Sequence, residues 1–188
     1  MLNLKRETWI LIAIFLLVFI SRLFFTFQSP TFSDDSAYTT QRYTENIVET
    51  GESLKYDPLS YGGRTVIYSP IFDYILWFFG LFLPLSLVFK IIPQLFISSL
   101  VIIVYLIAKE VKSNEVLALI AALLSGFIPI VFLETLNSIS IYSLIIPLMF
   151  YLIYIMIKLE RDDNLILHFV IFSFFFSALH PSVFLLPI

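Results

Sequence analysis

The sequence predicts an all-α, polytopic transmembrane helical bundle of about five to six spans, with a cytoplasmic N-terminus and a large first outer loop carrying short helices. Three observations predict it. Sixty per cent of the 188 residues are apolar or aromatic and 13% are charged, against about half and a quarter in an average soluble chain. The mean hydropathy is +0.96. The apolar residues gather in runs that match a bilayer core of about 30 Å, which takes about 20 helical residues to cross. Lysine and arginine gather between those runs, as the cytoplasmic loops of a membrane protein require.

Composition also excludes whole classes of chemistry. There is no cysteine, so disulfide scaffolds, thiol catalysis, iron–sulfur clusters and cysteine-type zinc sites are ruled out. Two histidines are too few for a three-histidine catalytic metal site. A net charge of −3 with no basic patch argues against nucleic acid as a partner.

The first apolar run covers residues 9–27. Lys5 and Arg6 precede it like the charged front of a signal peptide, but no small-residue cleavage site follows, so a retained signal anchor is expected over 1–27. Arg22 lies inside the run, where a charge is costly, and is expected to snorkel outward. The further apolar runs are 66–89, 91–108, 116–133, 139–157 and 165–188, and the only long polar stretch is 28–65. Placing Lys5, Arg6, Lys109, Lys112, Lys158 and Arg161 together in the cytoplasm requires one crossing, not two, between residues 66 and 108. Pro70, Asp73, Gly80, Pro84 and Lys90 make 66–89 the poorer span. It is therefore read as an interfacial or re-entrant outer segment, with the return helix at 90–108; two full crossings are the alternative. The chain divides accordingly into 1–27, an outer loop with its interfacial segment over 28–89, and the remaining spans over 90–188. Because the sequence stops inside an apolar run, it is expected to be the N-terminal part, 1–188, of a longer transmembrane domain.

The outer loop carries the candidate chemistry. Residues 35–48 have the spacing of a short helix with Tyr38, Arg42 and Glu45 on one face, and Gly51 is a C-terminal stop. Asp57-Pro58 and Gly62-Gly63 are turn signals. Asp34 and Asp35 admit two readings: they hold a divalent cation on a lipid pyrophosphate or act as a base on an acceptor, or they cap the following helix and are solvated. Arg64 can grip a phosphate through two parallel donors, or simply be solvated after Gly62-Gly63. His180-Pro181 sits in the last apolar run, where Pro181 frees a carbonyl that His180 can satisfy; the alternative is a ligand to lipid phosphate or metal. His168 is expected at the interface. The aromatic clusters at 77–79 and 172–176 read as lipid-facing bulk or belts.

This layout resembles the GT-C superfamily of polytopic membrane glycosyltransferases. Asp34-Asp35-Ser36-Ala37-Tyr38, Gly51 and Tyr68-Ser69-Pro70 resemble the pattern of protein O-mannosyltransferase and aminoarabinose-transferase relatives. Arg42-Tyr43-Thr44-Glu45-Asn46-Ile47-Val48 and residues 97–110 look like catalytic subunits of archaeal and bacterial oligosaccharyltransferases. The resemblance implies that the first outer-loop aspartate is the catalytic or metal-holding acid, Asp34 by the first pattern and Asp35 by the second, with Mg or Mn as the divalent cation. Tyr38, Arg42, Glu45 and Tyr68, which lie in the matched motifs, are candidate substrate-binding residues, together with Arg64, Glu134, Asn137 and His180 from the reading of the residues themselves. The resemblance departs in the next outer loop, where Ser138 and Ser140 stand at the expected acidic positions and Glu134 is the only carboxylate nearby.

Two function classes follow. One is a glycosyltransferase in the plasma membrane, taking sugar from a polyprenyl-phosphate-linked donor on the non-cytoplasmic side, with membrane lipids as its other partners. The other is a non-catalytic scaffold or lipid-carrier-binding subunit with the same fold. A transporter fits less well, since charges inside the spans are few.

Overall fold

A computed structural model describes residues 6–60, 62–159 and 163–179. Helix α1 spans Arg6–Thr26, about 31 Å at the α-helical rise; Pro30 follows shortly after and cannot continue it. Helices α4 (Leu85–Ser98) and α5 (Leu100–Val111) join into one 27-residue segment, about 40 Å long. Helix α8 covers Tyr142–Leu159. These three segments are long and apolar enough to cross a membrane.

Helices α6 (Glu115–Ser125) and α7 (Pro129–Thr135) make a fourth candidate only if taken as one broken span, because they are bent by 42°. The uninterrupted run expected at 116–133 is thus broken. Pro129 has no N–H to donate back into the preceding turn, and it starts a new helix instead. Between the spans lie α2 (Asp35–Thr50), a two-stranded hairpin (β1, Tyr56–Asp57; β2, Arg64–Thr65) and α3 (Ile71–Gly80); α9 (Ile166–Leu179) closes the described chain. The run 66–89 is divided too: residues 81–84 separate α3 from α4, and α4 takes its last residues.

Local chemistry explains the elements between α1 and α3. The Asp34 side chain accepts from the Ala37 N–H at 2.9 Å and caps α2, satisfying one of the four free donors at a helix start. At the other end Gly51 sits at φ +77° and its N–H reaches the Ile47 carbonyl, the left-handed stop that glycine favours. The helix read at 35–48 therefore forms, two residues longer. Beyond it, Tyr56 pairs with Thr65 and Asp57 with Arg64 in antiparallel register. The turn signals at Asp57-Pro58 and Gly62-Gly63 thus serve a hairpin.

The segments α1 and α4–α5 run antiparallel. Glu7 at the start of α1 accepts from Lys109 near the end of α5 at 2.7 Å, while Thr26 at the end of α1 meets Lys90 in α4. Two apolar cores flank this pair. Val18, Val101, Tyr105, Ala118 and Ala122 join α1 to α5 and α6. Ala37, Leu76, Val88, Ile139, Leu152 and Phe176 belong to the other, which ties α2 and α3 to α4, α8 and α9. That second core fixes the 28–89 segment on the bundle.

Candidate functional site

A buried polar layer supports the end of the bundle where α1 finishes. Arg22 is 1% exposed. Its Nε donates to Gln94 Oε1 at 2.9 Å and its NH2 group to Thr135 Oγ1 at 2.5 Å, and the guanidinium lies 4.8 Å from the centre of the Phe132 ring. Gln94 Nε2 then donates to the Thr135 carbonyl at 2.9 Å. The expected snorkelling is overturned: α4 and α7 bring neutral acceptors to the charge, so the side chain need not reach the interface.

Lys90 completes the layer, one helical turn before Gln94. Its Nζ donates to the carbonyls of Thr26 and Ser29 and to Asn137 Oδ1. A cation there satisfies carbonyls at the C-terminal end of α1 and complements the negative end of its dipole. Asn137, at φ +53°, lies in the left-handed region that asparagine tolerates. It also donates to the Thr31 carbonyl at 2.7 Å, while the Ser33 N–H and hydroxyl bond back to the Asn137 and Leu136 carbonyls. Residues 29–33 and 134–140, distant in sequence, are thereby held edge to edge.

Above that seam lies a cleft of about 390 Å³ lined by Asp34, Ser36, Glu134, Ser138, Ser140 and Tyr142, among others. Burial raises the Asp34 pKa, but hydroxyls of Ser138 and Ser36 and the N–H groups of Ala37 and Ser36 outweigh it and hold the carboxyl below its usual range. Asp34 is therefore a carboxylate at neutral pH. Asp34 and Glu134, from segments a hundred positions apart, reach one cleft that Ser138 and Ser140 also line.

A second cleft of about 390 Å³ lies between α2 and the hairpin. Ser36 lines both. Arg64, Tyr43 and Tyr68 line this second one, and the two tyrosine rings stack with centroids 5.1 Å apart. Behind them the Tyr68 hydroxyl donates to Asp73, a carboxyl in the first turn of α3 that is 1% exposed. Burial pushes Asp73 up to about 7 against the opposing hydrogen bond, and burial followed by the Asp73 charge pushes the Tyr68 phenol up.

The residues singled out in the sequence thus separate. Asp34 and Glu134 meet in one cleft, Arg64 and Tyr68 in the other. Asp35 is exposed in the first turn of α2 and lines neither. Arg42 pairs with Asp57 across to the hairpin. Asp57 is held low chiefly by the Ser60 hydroxyl, against burial, with help from the Leu59 N–H and the Arg42 charge. Glu45 accepts from Gln41, and the Tyr38 hydroxyl accepts from the Phe32 N–H. Asn137 is committed to the buried layer. His180 lies outside the described residues.

Among the described residues no three His, Cys, Asp or Glu side chains converge as a metal cluster, and Asp34 Oδ1 is already engaged by Ser36 and Ala37. Sequence reading missed Gln94, Thr135 and Asp57 as partners. The available signal was the pair of ionisable residues within or beside apolar runs, Lys90 and Asp73, since such groups mark organised polar sites. No protein-family model matches the chain, and no curated protein matches it.

Proposed function

We propose that the chain belongs to a polytopic glycosyltransferase of the GT-C type, which transfers sugar from a polyprenyl-phosphate-linked donor to an acceptor on the non-cytoplasmic face of the plasma membrane. The observation that carries the reading is the cleft shared by Asp34 and Glu134 at the end of the bundle where α1 finishes. A lipid-linked phosphate must sit at such a depth. In the proposed step the Asp34 carboxylate takes the proton of an acceptor hydroxyl as its oxygen bonds to the anomeric carbon. The bond from that carbon to the phosphate oxygen breaks, and the lipid phosphate leaves with the electron pair. The pKa of Asp34, held below its usual range, keeps it deprotonated at neutral pH, while the Ser36 hydroxyl and the Ala37 N–H hold its orientation.

The accompanying topology has five spans, α1, α4–α5, α6–α7, α8 and the run that contains α9, with the N-terminus in the cytoplasm. The antiparallel contact of Glu7 with Lys109 supports it by placing the basic α5–α6 turn at the N-terminal end of α1. Single cysteines at Ser113 and Asn164 should resist an impermeant thiol reagent applied from outside, while one at Ser60 should react. Efficient outside labelling at Ser113 and Asn164 would overturn the orientation.

A second reading has its own observation: Asp34 acts as a helix cap, and serines stand where a second acidic motif is expected, which suits a lipid-carrier-binding scaffold. Asparagine at 34 and at 35 discriminates the two. In the full protein Asp34→Asn should abolish transfer while expression survives, and Asp35→Asn should leave transfer intact. Normal transfer by the double variant would eliminate the catalytic assignment.

A further inference from the structure

We propose that the cleft between α2 and the hairpin is an acceptor subsite for an anionic glycan, a saccharide bearing a carboxylate or phosphate. The inference rests on the transferase reading for the word acceptor, and on the cleft alone for the ligand class.

The lining has a particular chemistry. Thr39, Thr40, Ser60 and Thr65 contribute hydroxyls along its walls, and Tyr43 and Tyr68 contribute a stacked aromatic pair. Hydroxyl groups donate and accept at once, which suits the alternating donors and acceptors of a sugar ring. The volume of about 390 Å³ lies within the range of small-ligand clefts. Among the described residues no acidic side chain lines it, and one cation does. The Arg64 guanidinium forms no hydrogen bond or ion pair with a described residue.

The neighbouring acids do not neutralise Arg64. Asp57, its partner in the hairpin register, is turned to Arg42, Ser60 and the Leu59 N–H. Asp73 lies behind Tyr68, which donates to it. A planar, permanently charged fork at a hydroxyl-lined cleft is suited to a carboxylate or phosphate.

Position distinguishes acceptor from donor. Eight of the ten lining residues carry a polar side-chain group, with Val66 and Ile67 the aliphatic members, so it offers no continuous apolar track for a polyprenyl chain. Ser36 connects it to the Asp34–Glu134 cleft. A water-soluble glycan held here thus extends toward the carboxylate that would deprotonate it.

The test measures binding, apart from transfer, on the full-length protein in detergent. The probes are a glucuronic-acid disaccharide, its uncharged methyl ester and glucose 6-phosphate. The acid or the phosphate should bind at least about tenfold more tightly than the ester, a difference of about 1.4 kcal/mol, and the tighter of the two identifies the anion. Arg64→Gln should erase that preference while leaving ester binding within about twofold; Thr39→Val should weaken all three probes by about threefold, roughly the loss of one neutral hydrogen bond. Equal binding of acid, phosphate and ester by the wild type, or an anion preference that survives Arg64→Gln, would overturn the proposal. So would the absence of binding by all three probes. Asp34→Asn should bind them as the wild type does, so a failed catalytic assignment and a failed subsite give different results.

Discussion

The two ends of the α1 and α4–α5 pair treat charge in opposite ways. At one end Glu7 meets Lys109 and the Tyr105 hydroxyl, and the lysine side chain remains 40% exposed. At the other, Arg22 and Lys90 are buried and bonded only to amide, hydroxyl and carbonyl oxygens. The first is an ion pair with its lysine half in water, although the Glu7 side chain is only 9% exposed, so solvent screening and side-chain entropy offset part of its attraction. The second has replaced the water around two cations by fixed dipoles drawn from α1, α4, α7 and the loops. Its stability therefore depends on every partner being present, because a buried charge left short of acceptors is costly.

That contrast can be broken most strongly at Gln94. Gln94→Leu removes the Arg22 Nε acceptor and a donor to the Thr135 carbonyl, and should cost about 3 kcal/mol in denaturant unfolding of the detergent-solubilised protein. Adding Arg22→Met should restore much of that loss, since an apolar replacement carries no desolvation penalty. A Gln94→Leu protein as stable as the wild type would show that Arg22 finds its acceptors elsewhere.

Asn137→Ala comes next, at about 2 kcal/mol. It withdraws an acceptor from Lys90 and a donor from Thr31, and it puts a less tolerant residue at a positive φ. Asn137→Gly keeps the backbone freedom and should recover only the smaller, conformational share. Equal stability of the alanine and glycine variants would assign the whole effect to the hydrogen bonds.

Asp73 sharpens the comparison with a buried acid in place of a buried base. The native carboxyl holds its proton up to about 7, whereas an unfolded aspartate releases it near pH 4. Between those values the native state binds more protons, so this residue's contribution to stability falls as pH rises from about 4 to about 7. Asp73→Asn should raise the melting temperature by about 3 °C at pH 8, change it little at pH 4, and flatten the wild-type decline between them. A uniform shift at all pH values would deny the titration. The smallest effect belongs to Glu7→Gln, a minor drop in melting temperature that shrinks further in high salt. A large, salt-independent loss would place that pair among the buried interactions.

Much of the helical framework was legible in the sequence. The run at 9–27 became α1, with bounds a residue or a few away. The return helix expected at 90–108 lies within Leu85–Val111, and the loop helix read from 35 to 48 ends at the glycine chosen for it. The break in 116–133 was legible in principle through Pro129, but high hydropathy on both sides masked it. The candidate cleft was half legible: Asp34 and Glu134 were both singled out, yet nothing in their spacing of a hundred positions required them to meet. Arg22 was misread for the same reason, since both of its acceptors come from distant helices.

The sequence by itself determined the class of fold, because bilayer thickness converts run length into spanning helices and because caps such as Asp34 and Gly51 act within a few residues. Tertiary structure alone decided which charges are buried. A cation inside an apolar run either escapes to water or finds acceptors, and the outcome turns on Gln94, Thr135 and Asn137, 47 to 113 residues away in the chain. Local propensity cannot carry that information, since the choice is settled by the packing of α4 and α7 against the end of α1.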